Sequence, residues 1–185
     1  MIGMSQVHGN NVVRVSVKDD GKTIENCDAL ISNDPKVTLS VRVADCLPIS
    51  VIDEKSHSFG LIHAGWRGLE KEIIKKTIEL MQKELKIKNS DLKIFIGPHI
   101  CQKHYEVKND VSKNFAEFPE TVLQKDNKEY LDLAKIAELQ LIRVGVKKQN
   151  IEISKDCTFE DLHLPSFRRD KTSERLIVRL NVQGS

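Results

Sequence analysis

The 185-residue sequence lacks an excess of charge of either sign: 29 lysines and arginines stand against 27 acidic residues, a net charge of +2. That balance removes the electrostatic footprint by which a nucleic-acid-binding domain is recognised. Long apolar runs are missing too. Stretches such as Leu47 to Ile52 fall far short of the roughly 20 residues a membrane span needs, and no basic segment leads into an apolar signal core at the N-terminus. A soluble, cytoplasmic protein is the expectation. With no internal repeat, low-complexity tract or linker and 39% hydrophobic residues, the length predicts one domain, 1–185, with a substantial core. Cysteines are few, at positions 27, 46, 101 and 157. A core of this size folds without disulfides, so all are read as reduced thiols, with Cys27 and Cys157 as small core residues.

Alternation over Val12 to Val17 predicts a strand closed by a turn at Asp19-Asp20-Gly21-Lys22. Val37 to Val43, Leu47 to Ile52 and Ser58 to His63 predict three closely spaced strands, the last two joined by a polar turn at Asp53 to His57. From Gly68 to Leu85, the residues Leu69, Ile73, Ile74, Leu80, Met81 and Leu85 recur at helical spacing. Leu92 to Ile96 predicts a buried strand ending at Gly97-Pro98. Val107 to Phe118 predicts a second helix, and Leu131 to Val144 a third that stops at Gly145. Ile151 to Ile153 and Leu176 to Val182 complete the strands. Helices and strands mix without regular βαβ alternation, which predicts a layered α+β fold.

The chemistry-bearing residues gather in three compact motifs: Gln6-Val7-His8-Gly9, Ala44-Asp45-Cys46-Leu47-Pro48 and His63-Ala64-Gly65-Trp66-Arg67-Gly68. Two imidazoles and a thiolate form a metal-ligand set. The intervals between His8, Cys46 and His63 are too long for the paired loops of a zinc finger, so the ligands would converge from separate strands. Three protein ligands leave a position open, as catalytic zinc sites do. His63 leads into the start of the helix near Gly68, where Gly65 and Gly68 let backbone N–H groups approach an anion. Arg67 adds a planar cationic fork for phosphate or carboxylate; the plainer alternative is a surface ion pair for Arg67 and a core position for Trp66. Asp45 either orients a ligand or caps the turn, the second being the simpler reading. His57, His99, His104 and His163 read as turn or surface residues.

These blocks, with Cys27-Asp28-Ala29-Leu30, Ile96-Gly97-Pro98, Tyr105-Glu106-Val107, Cys157-Thr158 and Phe167-Arg168-Arg169-Asp170, resemble in order the signature of the bacterial polyphenol oxidase or laccase-domain family. Its members are also named purine nucleoside phosphorylases and peptidoglycan editing factors. The resemblance implies zinc ligands at His8, Cys46 and His63 and an α+β sandwich shared with cysteine-dependent toxin hydrolases. It further implies phosphorolysis of adenosine, inosine, guanosine and methylthioadenosine, together with adenosine deamination. Purine nucleosides and phosphate are then the expected partners of a monomer that engages neither nucleic acid nor membrane.

Two features depart from the family pattern. Members usually carry some tens of residues ahead of the Gln-Val-His block, whereas this sequence starts almost at it, so a missing N-terminal segment and a more open pocket are expected. Thr172-Ser173-Glu174-Arg175 replaces the usual Thr-Gly-Arg, a loop change. Three other readings compete. Copper-dependent phenol oxidation could use the same donors, but a four-copper laccase needs more than the six histidines present. A metal-free Cys46–His63 hydrolase would make His8 expendable. The last is a non-enzymatic role in cell-wall precursor editing. No acid/base residue stands out.

Overall fold

The computed structural model describes residues 1–182. In chain order the elements are β1 (Gly3–Met4), β2 (Val12–Arg14), β3 (Thr23–Ile24), β4 (Ala29–Ser32), β5 (Leu39–Val43), β6 (Leu47–Asp53) and β7 (Ser58–Ala64). The helices α1 (Trp66–Glu70) and α2 (Ile73–Leu85) follow, then β8 (Lys93–Ile96), β9 (Glu106–Val107), α3 (Asn109–Ser112), β10 (Val122–Lys125) and β11 (Lys128–Leu131). The chain ends with α4 (Leu133–Arg143), β12 (Ile151–Ile153), α5 (Phe167–Asp170) and β13 (Leu176–Leu180). Among the described residues no helix is long and apolar enough to cross a membrane.

The frame is a six-stranded mixed sheet in the order β12-β8-β6-β7-β4-β2. Its outer pairs are parallel and its inner pairs antiparallel. Successive side chains on a strand point to opposite faces, and here both faces are covered. Ala29, Ile31, Leu47, Ile49, Val51 and Ile62 turn toward the helices and meet Leu69, Ile73, Ile74, Ile78 and Met81 of α1 and α2 and Ile136 and Leu141 of α4. Leu30, Phe59 and Leu61 turn the other way, against Ile2, Leu39, Val41, Val43 and Leu180 of a smaller layer built on the antiparallel β5–β13 pair. Covering on both sides explains why β7 is buried along its whole length and reads as an apolar run. The result is a mixed α/β fold of several sheets.

This alternation positions the chemistry. A step of two along the chain puts Asp28 on the face of Leu30 and His63 on the face of Phe59 and Leu61. The main chains meet there, with the His63 N–H donating to the Asp28 carbonyl at 2.7 Å. In the β6–β7 hairpin Pro48 faces His63 and Leu47 faces Ala64, so Cys46, just before β6, lies beside the end of β7.

Several sequence expectations are corrected. The helix expected over Gly68 to Leu85 is two helices, separated at Lys71-Glu72, with Glu72 in the left-handed region at φ 58°. The helix expected over Val107 to Phe118 reduces to α3 and a 3-10 turn at Lys113–Phe115, because Glu106 and Val107 pair with β11. The strand from Val12 stops at Arg14, and Val17–Asp19 forms a 3-10 turn. His99 is buried, its Nδ1 bonded to the Gly97 carbonyl at 2.8 Å. His104 pairs with Glu160 at 2.8 Å and stacks on Phe159.

Candidate metal centre

His8, Cys46 and His63 come from the loop after β1, the β5–β6 junction and the last turn of β7, and their donor atoms lie within 4.8 Å of one another. The His8 Nε2 is 3.9 Å from the Cys46 Sγ. The two imidazoles meet edge to face, with centroids 4.8 Å apart. His63 is buried, Cys46 half-buried and His8 exposed, so the cluster opens to solvent on the His8 side.

Asp28 holds this arrangement and is the residue the sequence reading passed over. Its carboxylate, fully buried, accepts from the N–H groups of Val7 at 3.3 Å, His8 at 3.0 Å and Gly9 at 2.7 Å. It also bonds the Nδ1 of His63 at 2.8 Å, which leaves Nε2 for a ligand. One buried charge thus fixes the ring of one histidine and the backbone of the other. His8 sits at φ 56°, a strained region for a side-chain-bearing residue, and the three N–H bonds to Asp28 offset that strain. The signal was available in the Cys27-Asp28-Ala29-Leu30 block, where a carboxylate opens an otherwise buried strand.

Electrostatics follow the same geometry. Burial pushes the Cys46 thiol up, but hydrogen bonding to His63 and His8 outweighs it and brings the thiol down to about 6. Burial pulls the His63 imidazole down, yet Asp28 and Cys46 raise it to about 9. The metal-free site therefore holds a thiolate beside a protonated His63; the thiolate is already the form a metal needs, and His63 must release its proton when a metal binds.

Gly65 keeps the cluster compact. A Cβ there would stand 2.8 Å from the Cys46 Sγ and 3.2 Å from the His8 Cδ2, so a side chain would drive the donors apart. Gly68 is buried, with the Gly9 carbonyl oxygen 3.2 Å from where its Cβ would lie, so the His8 loop packs closely on α1 there. Trp66 packs partly against the core, and the Arg67 guanidinium lies 4.4 Å above its ring. Among the described residues Arg67 makes no salt bridge, leaving its charge available to the cleft.

Two lobes flank the cluster and share His8, Ala44, Cys46 and Phe167 in their walls. One, of about 500 Å³, carries Gln6, Arg42, Ser173 and Arg175; the other, of about 570 Å³, carries Gly65, Trp66, Arg67, Tyr105, Arg168 and Lys171. The second carries three cationic side chains and the Asp45 carboxylate, the first two cationic side chains and no acid. Burial pushes its Tyr105 phenol upward, which keeps the hydroxyl protonated as a donor. Asp45 forms part of the wall by pinning distant segments to the Cys46 loop: it accepts from the Thr158 hydroxyl at 2.7 Å and the Arg168 N–H at 2.8 Å. Arg169 braces the loop behind, donating to the carbonyls of Thr158, Phe159, Asp161 and Leu164.

Comparison with known proteins agrees with this architecture. The chain is 35% identical over 179 residues to a purine nucleoside phosphorylase of Staphylococcus saprophyticus, covering 90% of this chain and 66% of that one. It is 36% identical over 173 residues to a purine nucleoside phosphorylase of Aquifex aeolicus, covering 93% and 78%. It superposes on the structure of YlmD from Geobacillus stearothermophilus with a TM-score of 0.91 at 30% identity, covering 96% of this chain and 72% of that chain. The Bacillus licheniformis protein YfiH, 23% identical, shares the fold with a TM-score of 0.92. The chain spans about three fifths to two thirds of the length of the Bacteroides thetaiotaomicron and Staphylococcus relatives, at 58% and 66%. Since residues 1–179 match its family model, the chain belongs to the family described as multi-copper polyphenol oxidoreductase laccase.

Proposed function

We propose that the protein is a metal-dependent purine nucleoside enzyme, with zinc held by His8, Cys46 and His63 and with phosphorolysis as its main reaction. The observation that carries this reading is the convergence of three donors, one clamped by Asp28, at the junction of two lobes large enough for small ligands. The donor set fits zinc, since two neutral imidazoles and one thiolate supply three of four tetrahedral positions and leave one open. When bound, the metal supplies Lewis acidity where the lobes meet. The names of the relatives supply the substrate class.

The chain's own groups do the rest. Phosphate is placed in the lobe bearing Arg67, Arg168 and Lys171, whose cationic side chains hold an anion against the cluster. The exposed Phe167, shared by both lobes, offers an apolar face to the base. Tyr105 keeps its proton and donates to an oxygen or ring nitrogen that gains charge as the glycosidic bond breaks. Adenosine deamination in the same cleft replaces phosphate by water. The substrates remain adenosine, inosine, guanosine and methylthioadenosine.

Copper could occupy the same donors, but a multi-copper centre is not favoured. His57, His99, His104 and His163 line neither lobe, so the histidines needed for a cluster of four coppers are elsewhere. One observation favours a second reading, a metal-free Cys46–His63 hydrolase: Asp28 holds the Nδ1 of His63 at 2.8 Å, and the Cys46 thiol lies in the same cluster, so the three could act as orienter, base and nucleophile. His8→Ala separates the two. The zinc reading expects loss of both metal and phosphorolysis in this variant; full turnover with metal gone supports the hydrolase instead.

A further inference from the structure

We propose that Cys101 and Cys157 form a reversible disulfide that locks the back wall of the cleft. The two Sγ atoms are 2.8 Å apart, and the Cys101 N–H donates to the Cys157 Sγ at 3.2 Å. They are free thiols far apart in sequence, brought together by the main chain and not by their own contact. The segments carrying them run parallel, His99 N–H bonding the Asp156 carbonyl at 3.3 Å and Thr158 N–H bonding the His99 carbonyl at 2.9 Å. Closing the bond therefore needs a side-chain adjustment, with the backbone already in place.

The position gives the bond a consequence. Ile100 N–H donates to the Asp45 carbonyl at 3.1 Å, and the Thr158 hydroxyl donates to the Asp45 carboxylate at 2.7 Å. Each cysteine is thus next in sequence to a residue that grips Asp45, and Asp45 precedes Cys46. A covalent link between the two grips ties the loop presenting Cys46 to both segments at once. Cys101 is partly exposed, which gives an oxidant access, while Cys157 is buried behind it.

A second metal site is the competing use of these atoms, because Glu160 offers a carboxylate nearby. Two observations weigh against it. Two thiolates on one tetrahedral zinc, each at about 2.3 Å, sit about 3.8 Å apart, and Glu160 is already paired with Lys103 and His104.

The oxidant is a disulfide of low molecular weight. One thiolate of the pair attacks oxidised glutathione, forming a mixed disulfide and releasing one glutathione; the second thiolate attacks the protein sulfur of that intermediate and releases the other. Two cysteine thiols are oxidised, one glutathione disulfide is reduced, and the two protons end on the departing glutathiones.

The test is incubation of the full chain with oxidised glutathione at about pH 8.5, where exchange is favoured, followed by thiol titration of the unfolded protein and peptide mapping. Cys101 and Cys157 should both become unreactive and appear in one joined peptide, with a raised thermal midpoint and full reversal by dithiothreitol; glutathione taken up by Cys46, the most acidic thiol, is mapped separately and does not count toward the pair. Cys101→Ser should abolish both the cross-link and the rise in midpoint. Cys157→Ser, if it folds, should instead retain one glutathione on Cys101. The proposal is overturned if both cysteines stay alkylatable after treatment, if the link involves Cys27 or Cys46, or if the purified protein carries zinc on Cys101 and Cys157.

Discussion

Asp28→Asn is the most informative single change, because it alters one atom of a residue that touches no substrate. In the native protein Oδ1 serves His8 N–H and His63, and Oδ2 serves Val7 and Gly9 N–H. Asparagine keeps one oxygen, so its amide group must face two N–H donors that have no other acceptor in this position. Two hydrogen bonds to a charged group are lost, each worth about 1.5–3 kcal/mol, and the left-handed backbone at His8 loses its support. A destabilisation of roughly 3 kcal/mol or more should appear in denaturant unfolding, together with a ~10–100-fold loss of metal affinity, as when the partner of a ligating histidine is removed. Chelator competition on protein shown by circular dichroism to be folded measures the second effect separately from the first. Folded Asp28→Asn that binds metal as tightly as the parent would refute the role given to Asp28.

Three further outcomes are expected. Gly65→Ala should keep the fold but strip the metal, read by elemental analysis beside circular dichroism, since its Cβ would stand 2.8 Å from the Cys46 Sγ. In metal-free protein at pH 7, iodoacetamide should label Cys46 first, as its thiol lies at about 6 while Cys27 and Cys101 are raised to about 11 and about 12. The labelling rate should fall as pH drops through 6, where the thiolate gains its proton, and added zinc should protect; labelling of Cys101 ahead of Cys46 would contradict the geometry. Arg67→Ala should raise the KM for phosphate more than it affects adenosine deamination, and equal losses in both would assign Arg67 to nucleoside binding or folding.

Much of the site was legible because its side chains sit in strands, where a period of two and a dense apolar run leave little freedom. Cys46 at a strand junction and His63 at a strand end follow from the boundaries of β6 and β7, which the sequence reading placed to within a residue. Asp28 is harder to read for the complementary reason: the sequence shows a carboxylate opening a buried strand, but its partners are main-chain N–H groups of residues 7–9, which leave no pattern of their own. The break between α1 and α2 was hidden because Leu69, Ile73 and Ile74 are all buried and fit one continuous helical stripe. The β10–β11 hairpin was overlooked despite a visible signal. Asp126-Asn127 joins its strands with both residues at positive φ, the demand of a tight hairpin turn that aspartate and asparagine tolerate.

The central claim is that one metal ion is bound by one sulfur and two nitrogens at His8, Cys46 and His63. X-ray absorption at the metal edge of the purified protein, at about one equivalent per chain, tests it most directly. The account expects one sulfur at about 2.3 Å and two imidazole nitrogens at about 2.0 Å, with the sulfur scattering abolished by Cys46→Ser. A shell with two sulfurs would point to Cys101 and Cys157, and a sulfur that survives Cys46→Ser would equally contradict the assignment.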